Sequence, residues 1–201
     1  MSIVINGVLI GKDIPSFYQG WLDNNTTLKA ANADPSILSS TAFTMVDGEA
    51  YFEGIYLDKP QTLTGVAWAQ NVLESGATHD QTTQIGLYSS DGTTLTLVAS
   101  CANDTTLWSG GSGSSINTKA FTTPYTASAG TYYVAAVNNT SVTGTAPTIG
   151  KLNSSNVAGW CNGLKAGNKF RSGVLTAQNS LPSTQALSGL TAAVTKWFGL
   201  Y

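Results

Sequence analysis

The run Ile85 to Ser100, IGLYSSDGTTLTLVAS, constrains the fold of this chain more than any other stretch. It reads as two short strands joined at Asp91-Gly92, because glycine enters positive φ without steric cost and aspartate tolerates that region better than most residues. Two registers compete. A two-residue Asp91-Gly92 loop sets Ile85 and Leu87 opposite Val98 and Thr96, and sends Leu95 and Leu97 to the other face of the ribbon. A three-residue loop, Ser90-Asp91-Gly92, pairs Leu87 with Leu95 and Ile85 with Leu97, which gathers four large apolar side chains on one face. A buried face is what specifies register, so the three-residue loop is expected. An isolated hairpin is marginal in water, and the apolar face therefore predicts a second sheet packed against it.

The rest of the chain offers strands for that sheet. Ala42 to Val46 ends at Asp47-Gly48, and Glu49 to Leu57 (EAYFEGIYL) runs into Asp58-Lys59-Pro60, where proline ends a central strand. Leu63 to Ala69 puts Thr64, Val66 and Trp68 on one face and the small set Leu63, Gly65, Ala67 and Ala69 on the other, a surface that admits a closely packed neighbour. Thr131 to Val137 is the most strand-like run of all. Phe170 to Leu175 reads as extended, and Asn103 to Trp108 as a short strand followed by a flexible loop over Gly110 to Ser115. Residues 74–81 and 138–148 read as polar or turn-rich loops. Leu187, Leu190, Val194, Trp197 and Tyr201 fit helical spacing, whereas Gly189, Thr191, Thr195 and Gly199 weaken a helix. Strand is the reading preferred for Lys196 to Tyr201. Only 10% of the 201 residues are charged, against about a quarter in ordinary domains, which disfavours long exposed helices. The class expected is all-β, an antiparallel two-sheet sandwich over residues 41–201.

Residues 1–40 differ from this pattern. Ile3 to Ile5 and Val8 to Ile10 flank Asn6-Gly7 as a hairpin-like or extended apolar piece, and Phe17, Tyr18 and Trp21 follow Pro15 as an aromatic cluster. Such a segment is either an extra strand pair on the sandwich or an arm that packs on another subunit; the arm is preferred, since aromatics are enriched at interfaces. Ile3, Ile5, Val8, Ile10, Phe17, Tyr18 and Trp21 are its candidate docking residues.

A formal net charge of −2 disfavours a nucleic-acid partner, which needs a concentrated basic surface. The charge is uneven: all 11 acids lie between Asp13 and Asp104, and only basic residues follow. Interleaved strands neutralise such halves on one surface; the sharper alternative is a polar molecule that stacks head to tail. Ser2 to Gly7 lacks a basic leader and no run reaches membrane-spanning length, so synthesis in a reducing cytosol without membrane insertion is expected. In that compartment Cys101 and Cys161 are expected as free, buried thiols.

Chemistry is sparse. His79, the one histidine, sits in a polar loop and reads as solvated, and one histidine excludes a multi-histidine zinc site. Glu49 and Glu53 share a strand face, which reads as like charges on a solvated surface. Asp80, Asp91 and Asp104 fall in loops without the dense ligand run of a calcium site. No catalytic residue, metal ligand or cofactor is assigned. Aromatic faces are platforms for sugars: Trp68 is read as core, while Trp108 beside the glycine-rich stretch and Trp160 in Gly159-Trp160-Cys161-Asn162-Gly163 are the candidate glycan contacts.

Four segments together, AYFEGIYLDKPQTLTGVAWAQ (50–70), QIGLYSSDGTTLTLVAS (84–100), KAFTTPYTASAGTYYVAAV (119–137) and LPSTQALSGLTAAVTKWFGLY (181–201), resemble the jelly-roll modules of tailed-bacteriophage virion proteins such as head and tail fibres, decoration proteins and adhesin tips. The resemblance covers about residues 40–201 and rests on texture and strand order. It implies a jelly-roll-like sandwich whose last segment returns to complete the core. It also implies a structural part of a phage particle assembled in the bacterial cytoplasm, often a homotrimer, exposed on head or tail and contacting other virion proteins. The alternative it carries is a carbohydrate-recognising adhesin that meets a host-surface glycan.

Overall fold

The computed structural model describes residues 3–5, 8–10, 28–39, 41–79, 81–152 and 171–201, and among these every regular element is a β-strand or a short 3-10 turn. The N-terminal strands β1 (Ile3–Ile5) and β2 (Val8–Ile10) pair antiparallel, Ile3 with Ile10 and Ile5 with Val8. Of the hairpin-like and the extended readings of this apolar piece, the hairpin is the one observed. Phe17, Tyr18, Trp21, Trp160 and Cys161 lie outside the described residues.

From Leu28 onward the strands in chain order are β3 (Ala30–Ala31), β4 (Phe43–Thr44), β5 (Glu49–Leu57), β6 (Gln61–Val72), β7 (Ser75–Thr78), β8 (Gln84–Ser90) and β9 (Thr94–Ser100). There follow β10 (Ser115–Ala127), β11 (Gly130–Asn138), β12 (Ser141–Thr145), β13 (Thr148–Ile149), β14 (Ser172–Leu175), β15 (Thr184–Ala186), β16 (Thr191–Ala192) and β17 (Phe198–Leu200). A seven-stranded antiparallel sheet runs β15-β9-β8-β11-β5-β14-β16. Facing it, a six-stranded sheet runs β3-β17-β6-β13-β4, with β10 on the other side of β6. The small pair β7 and β12 lies apart from both sheets.

Alternation along the strands builds the core between the sheets. Tyr51, Ile55 and Leu57 of β5, Ile85 and Leu87 of β8, and Tyr132, Val134 and Ala136 of β11 meet Val66 and Trp68 of β6 and Phe198 and Leu200 of β17. Each large side chain removed from water there contributes about 1.5–3 kcal/mol. The C-terminal strand completes this core, as strand rather than helix.

Both sheets are also covered on their outer faces. Phe52, Tyr88, Leu95, Tyr133 and Val137 pack under Leu181, Leu187 and Leu190 of the segment that flanks β15. The small face of β6, Ala67 and Ala69, lies under Leu28, Ala31, Ala33, Leu152 and Trp197. This second cover corrects the domain boundary at residue 40. Residues 28–39 belong to the sandwich: β3 pairs with β17, Ala31 opposite Gly199, and the Trp197 indole N–H donates to the Ala33 carbonyl at 2.7 Å. The small residues mark a face open to a close neighbour, and Leu28, Ala31 and Ala33 of residues 28–39 fill it together with Leu152 and Trp197.

The organising hairpin takes neither anticipated register. Ser90 pairs with Leu95 and Tyr88 with Leu97, and after a bulge Leu87 pairs with Ala99. The turn therefore spans Asp91 to Thr94. Its tip is set by the Asp91 carboxylate, whose Oδ1 accepts from Thr93 N at 2.8 Å, Thr94 N at 2.7 Å and the Thr93 hydroxyl at 2.8 Å, while Gly92 sits at φ +93. Those bonds hold the Asp91 carboxyl below the usual carboxylate range. Leu95 and Leu97 face outward to the cover and Ile85 and Leu87 inward, because both faces of this sheet are buried.

Four segments also differ from expectation. Residues 75–78 and 141–145 are the paired strands β7 and β12. Asn103 to Trp108 is turn rather than strand, Asp104 Oδ1 accepting from Thr106 N at 2.8 Å. The glycine-rich stretch after it is held by side-chain bonds instead of burial: Asn117 Oδ1 accepts from Ser112 N at 3.3 Å and its amide donates to Ser112 O at 3.1 Å.

Candidate functional site

Glu53 and Lys196 are placed inside the sandwich by strand parity. Glu53 lies on β5 between the inward-facing Tyr51 and Ile55, and Lys196 stands two residues before the inward-facing Phe198. The two side chains meet across the sheets, Lys196 Nζ 3.5 Å from Glu53 Oε1, both fully buried. Ser172 of β14 donates its hydroxyl to the same Oε1 at 2.9 Å. The Lys196 Nζ lies 4.4 Å from the Phe43 ring centroid and 4.1 Å from that of Tyr51, so two aromatic faces wall the amine. The Tyr51 hydroxyl donates to the Glu49 carboxylate. Burial pushes the Glu53 carboxyl up and the Lys196 amine down, each partly opposed by its partner's charge. The reading of Glu49 and Glu53 as a solvated pair is thus corrected: Glu53 is interior and faces the buried Lys196 side chain.

His79 is likewise not a solvated loop residue. Its Nε2 lies 3.1 Å from Oε2 of the buried Glu74, and its Nδ1 3.3 Å from Thr83 Oγ1. Glu74 is anchored where β6 gives way to β7 by donating its N–H to the Trp108 carbonyl at 3.0 Å. The row Glu74, His79, Thr83 has the residue types of a nucleophile relay. Thr83 is fully buried and has its own N–H bound to Asn103 Oδ1 at 2.9 Å, so its hydroxyl reaches no substrate.

Trp108 is a core residue, which corrects its assignment as a glycan contact. It is fully buried, with its ring edge-to-face on Trp68, centroids 5.6 Å apart at 76°. The turn that contains it sends Leu107 and Trp108 inward and leaves the glycines after it outside. Trp68 is core as expected, its indole N–H donating to Gln70 Oε1 at 2.7 Å.

Beside this turn lies an open polar groove of about 380 Å³, lined among others by Asp104, Thr106, Asn117, Thr118 and Lys119. Lys119 of β10 bonds the Asp104 carboxylate, and that bond with those from Thr106 holds the Asp104 carboxyl down at about 2. Cys101, at the end of β9, is a free buried thiol pushed up to about 12 by burial. Asp91 serves its own turn and Asp80 lies outside the described residues. No group of three or more His, Cys, Asp or Glu able to hold a metal occurs among the described residues, and no helix there is long and apolar enough to cross a membrane.

No family model and no curated protein matches the chain. The site residues missed by the sequence reading are Lys196, Ser172 and Glu74. For Lys196 a signal existed: a lone cation two residues before the apolar Phe198, in the run Val194-Thr195-Lys196-Trp197-Phe198, occupies the same inward face once that run is a strand. Ser172 carries no such mark.

Proposed function

We propose that the chain is a structural protein of a tailed-phage virion, a surface-exposed β-sandwich attached to head or tail through its N-terminal segment. The observation that carries the reading is an apolar N-terminal ribbon beside a sandwich whose described clusters fill the space between the sheets and cover the outer face of each. Ahead of them stands a two-stranded ribbon whose paired positions Ile3, Val4, Ile5, Val8, Leu9 and Ile10 are all large and apolar. Two strands alone are marginal, so the ribbon calls for a partner surface, and a virion protein or a second copy supplies it. The four segments that resemble phage jelly-roll modules point the same way. Self-association, as a homotrimer first, fits the sparse charge.

The experiment is particle incorporation. Mass spectrometry and immunogold labelling of purified phage particles should find the full chain on the surface and should lose it when residues 1–27 are removed. Absence of the full chain from particles would refute the reading, and retention of the shortened chain would refute the docking role.

The adhesin alternative has one observation in its favour, the polar groove at Asp104, Thr106, Asn117 and Lys119. A glycan array with the full chain tests it; a hit abolished by Asn117→Ala supports it, and a blank array removes it.

A further inference from the structure

The Glu53 and Lys196 pair is incomplete as an ion pair. At 3.5 Å the Nζ to Oε1 separation is longer than a hydrogen bond between charged groups, which falls near 2.7–2.9 Å. Neither Lys196 Nζ nor Glu53 Oε2 has a hydrogen-bond partner among the described residues. A buried ammonium carries three donors and a buried carboxylate about four acceptor sites, and leaving them unmet costs more than the Coulomb attraction returns. Both side chains are wholly enclosed, the amine between two aromatic rings and the acid under the Ser172 hydroxyl, so water hydrates neither charge.

We propose that Lys196 and Glu53 are a covalent modification site, joined by an amide bond between Lys196 Nζ and Glu53 Cδ that forms spontaneously within the folded chain. The step is a condensation. The unprotonated amine adds to Cδ of the protonated acid, the C–N bond forms, and negative charge gathers on Oε1, where the Ser172 hydroxyl is already aimed. Collapse of the adduct breaks the bond from Cδ to Oε2, and Oε2 leaves as water, carrying the acid proton and one proton from Nζ. The second amine proton remains on the new amide. No oxidant or co-reactant enters. Burial favours the uncharged form of each group, which is the pair of forms the addition requires. Fixed proximity at near-contact distance supplies the effective concentration that free amines and acids lack. The Phe43 and Tyr51 rings then keep water from the reverse reaction.

The bond would tie β5 of one sheet to the segment entering β17 of the other. β17 is only three residues long and pairs with β3 and β6, so the link would pin a short strand of one sheet to the sheet that faces it. The inference stands apart from the virion reading and does not need it.

The test is the intact mass of the purified full chain under denaturing conditions. The expected result is a mass lower by one water than the sequence requires, with Lys196→Arg restoring the full sequence mass. A tryptic digest should contain one species in which the peptide bearing Glu53 is joined to that bearing Lys196. A wild-type chain of full mass would overturn the proposal and leave a buried ion pair. So would a water lost without joined peptides, the outcome of succinimide formation at Asp47-Gly48 or Asp91-Gly92, and so would a link from Lys196 to any other carboxyl.

Discussion

Replacing Trp197 by phenylalanine tests whether residues 28–39 belong to the sandwich. Trp197 is fully buried under Leu28, Ala31 and Ala33, and its indole N–H is bound to the Ala33 carbonyl at 2.7 Å. Phenylalanine keeps most of the ring but deletes the donor and leaves a void where the second ring stood. An unpaired buried carbonyl costs about 1–3 kcal/mol; the void adds a smaller amount because Leu28 borders it and can lean in. The expected loss is about 2 kcal/mol. For a chain of this size that lowers the melting temperature by about 4–8 °C. Urea denaturation followed by tryptophan-independent circular dichroism measures the loss directly. Native-state hydrogen exchange should show protection falling at Lys29 and Asn32, whose N–H groups donate to the carbonyls of Leu200 and Phe198. A variant within 0.5 kcal/mol of wild type, a margin typical of surface substitutions, with exchange at those amides unchanged, would refute the argument.

Leu187→Ala, at the outer cover of the seven-stranded sheet, should cost about 2–4 kcal/mol by the usual penalty for a buried leucine; a change below 1 kcal/mol in denaturant titration would mean the cover is not packed. Asp104→Asn should remove a pH dependence. The Asp104 carboxyl is depressed by the Lys119 hydrogen bond, so its stabilising contribution is present above the ordinary aspartate value near 4 and is lost as pH falls toward about 2; melting curves of wild type and variant should converge over that window and differ above it. Cys101 should resist a disulfide-exchange reagent at pH 8 in the native chain and react on unfolding, since its thiol is buried and pushed up to about 12; rapid native labelling would contradict the burial.

The strands themselves were legible because alternation is a local property. β5, β6, β8, β9 and β11 all stand where period-two runs of apolar residues put them. Pairing was not legible in the same way. The register of β8 and β9 depended on how many faces of the ribbon are buried, and that number is decided by Leu181, Leu187 and Leu190, about ninety residues downstream. With one face buried, four apolar side chains on a single side is the stable arrangement. With two, splitting them as Ile85 and Leu87 against Leu95 and Leu97 satisfies both, and the Asp91 side chain then fixes where the chain turns.

The same parity that locates a strand also locates its misfits, and this is how the interior pair could have been found. In EAYFEGIYL the inward positions are Tyr51, Glu53, Ile55 and Leu57, so one carboxylate stands in a row otherwise apolar. In the C-terminal run they are Lys196, Phe198 and Leu200, so one cation does. A lone inward acid or base is prohibitively costly in a core, so an inward acid on one sheet and an inward base on the other are expected to meet. A strand rather than a helix at the C-terminal run therefore also fixes where Lys196 points, toward the interior that Glu53 occupies. Trp108 follows the opposite logic: the glycines after it suggest a surface, but the turn over 105–109 points Leu107 and Trp108 inward while the residues on either side face water, and the ring packs on Trp68.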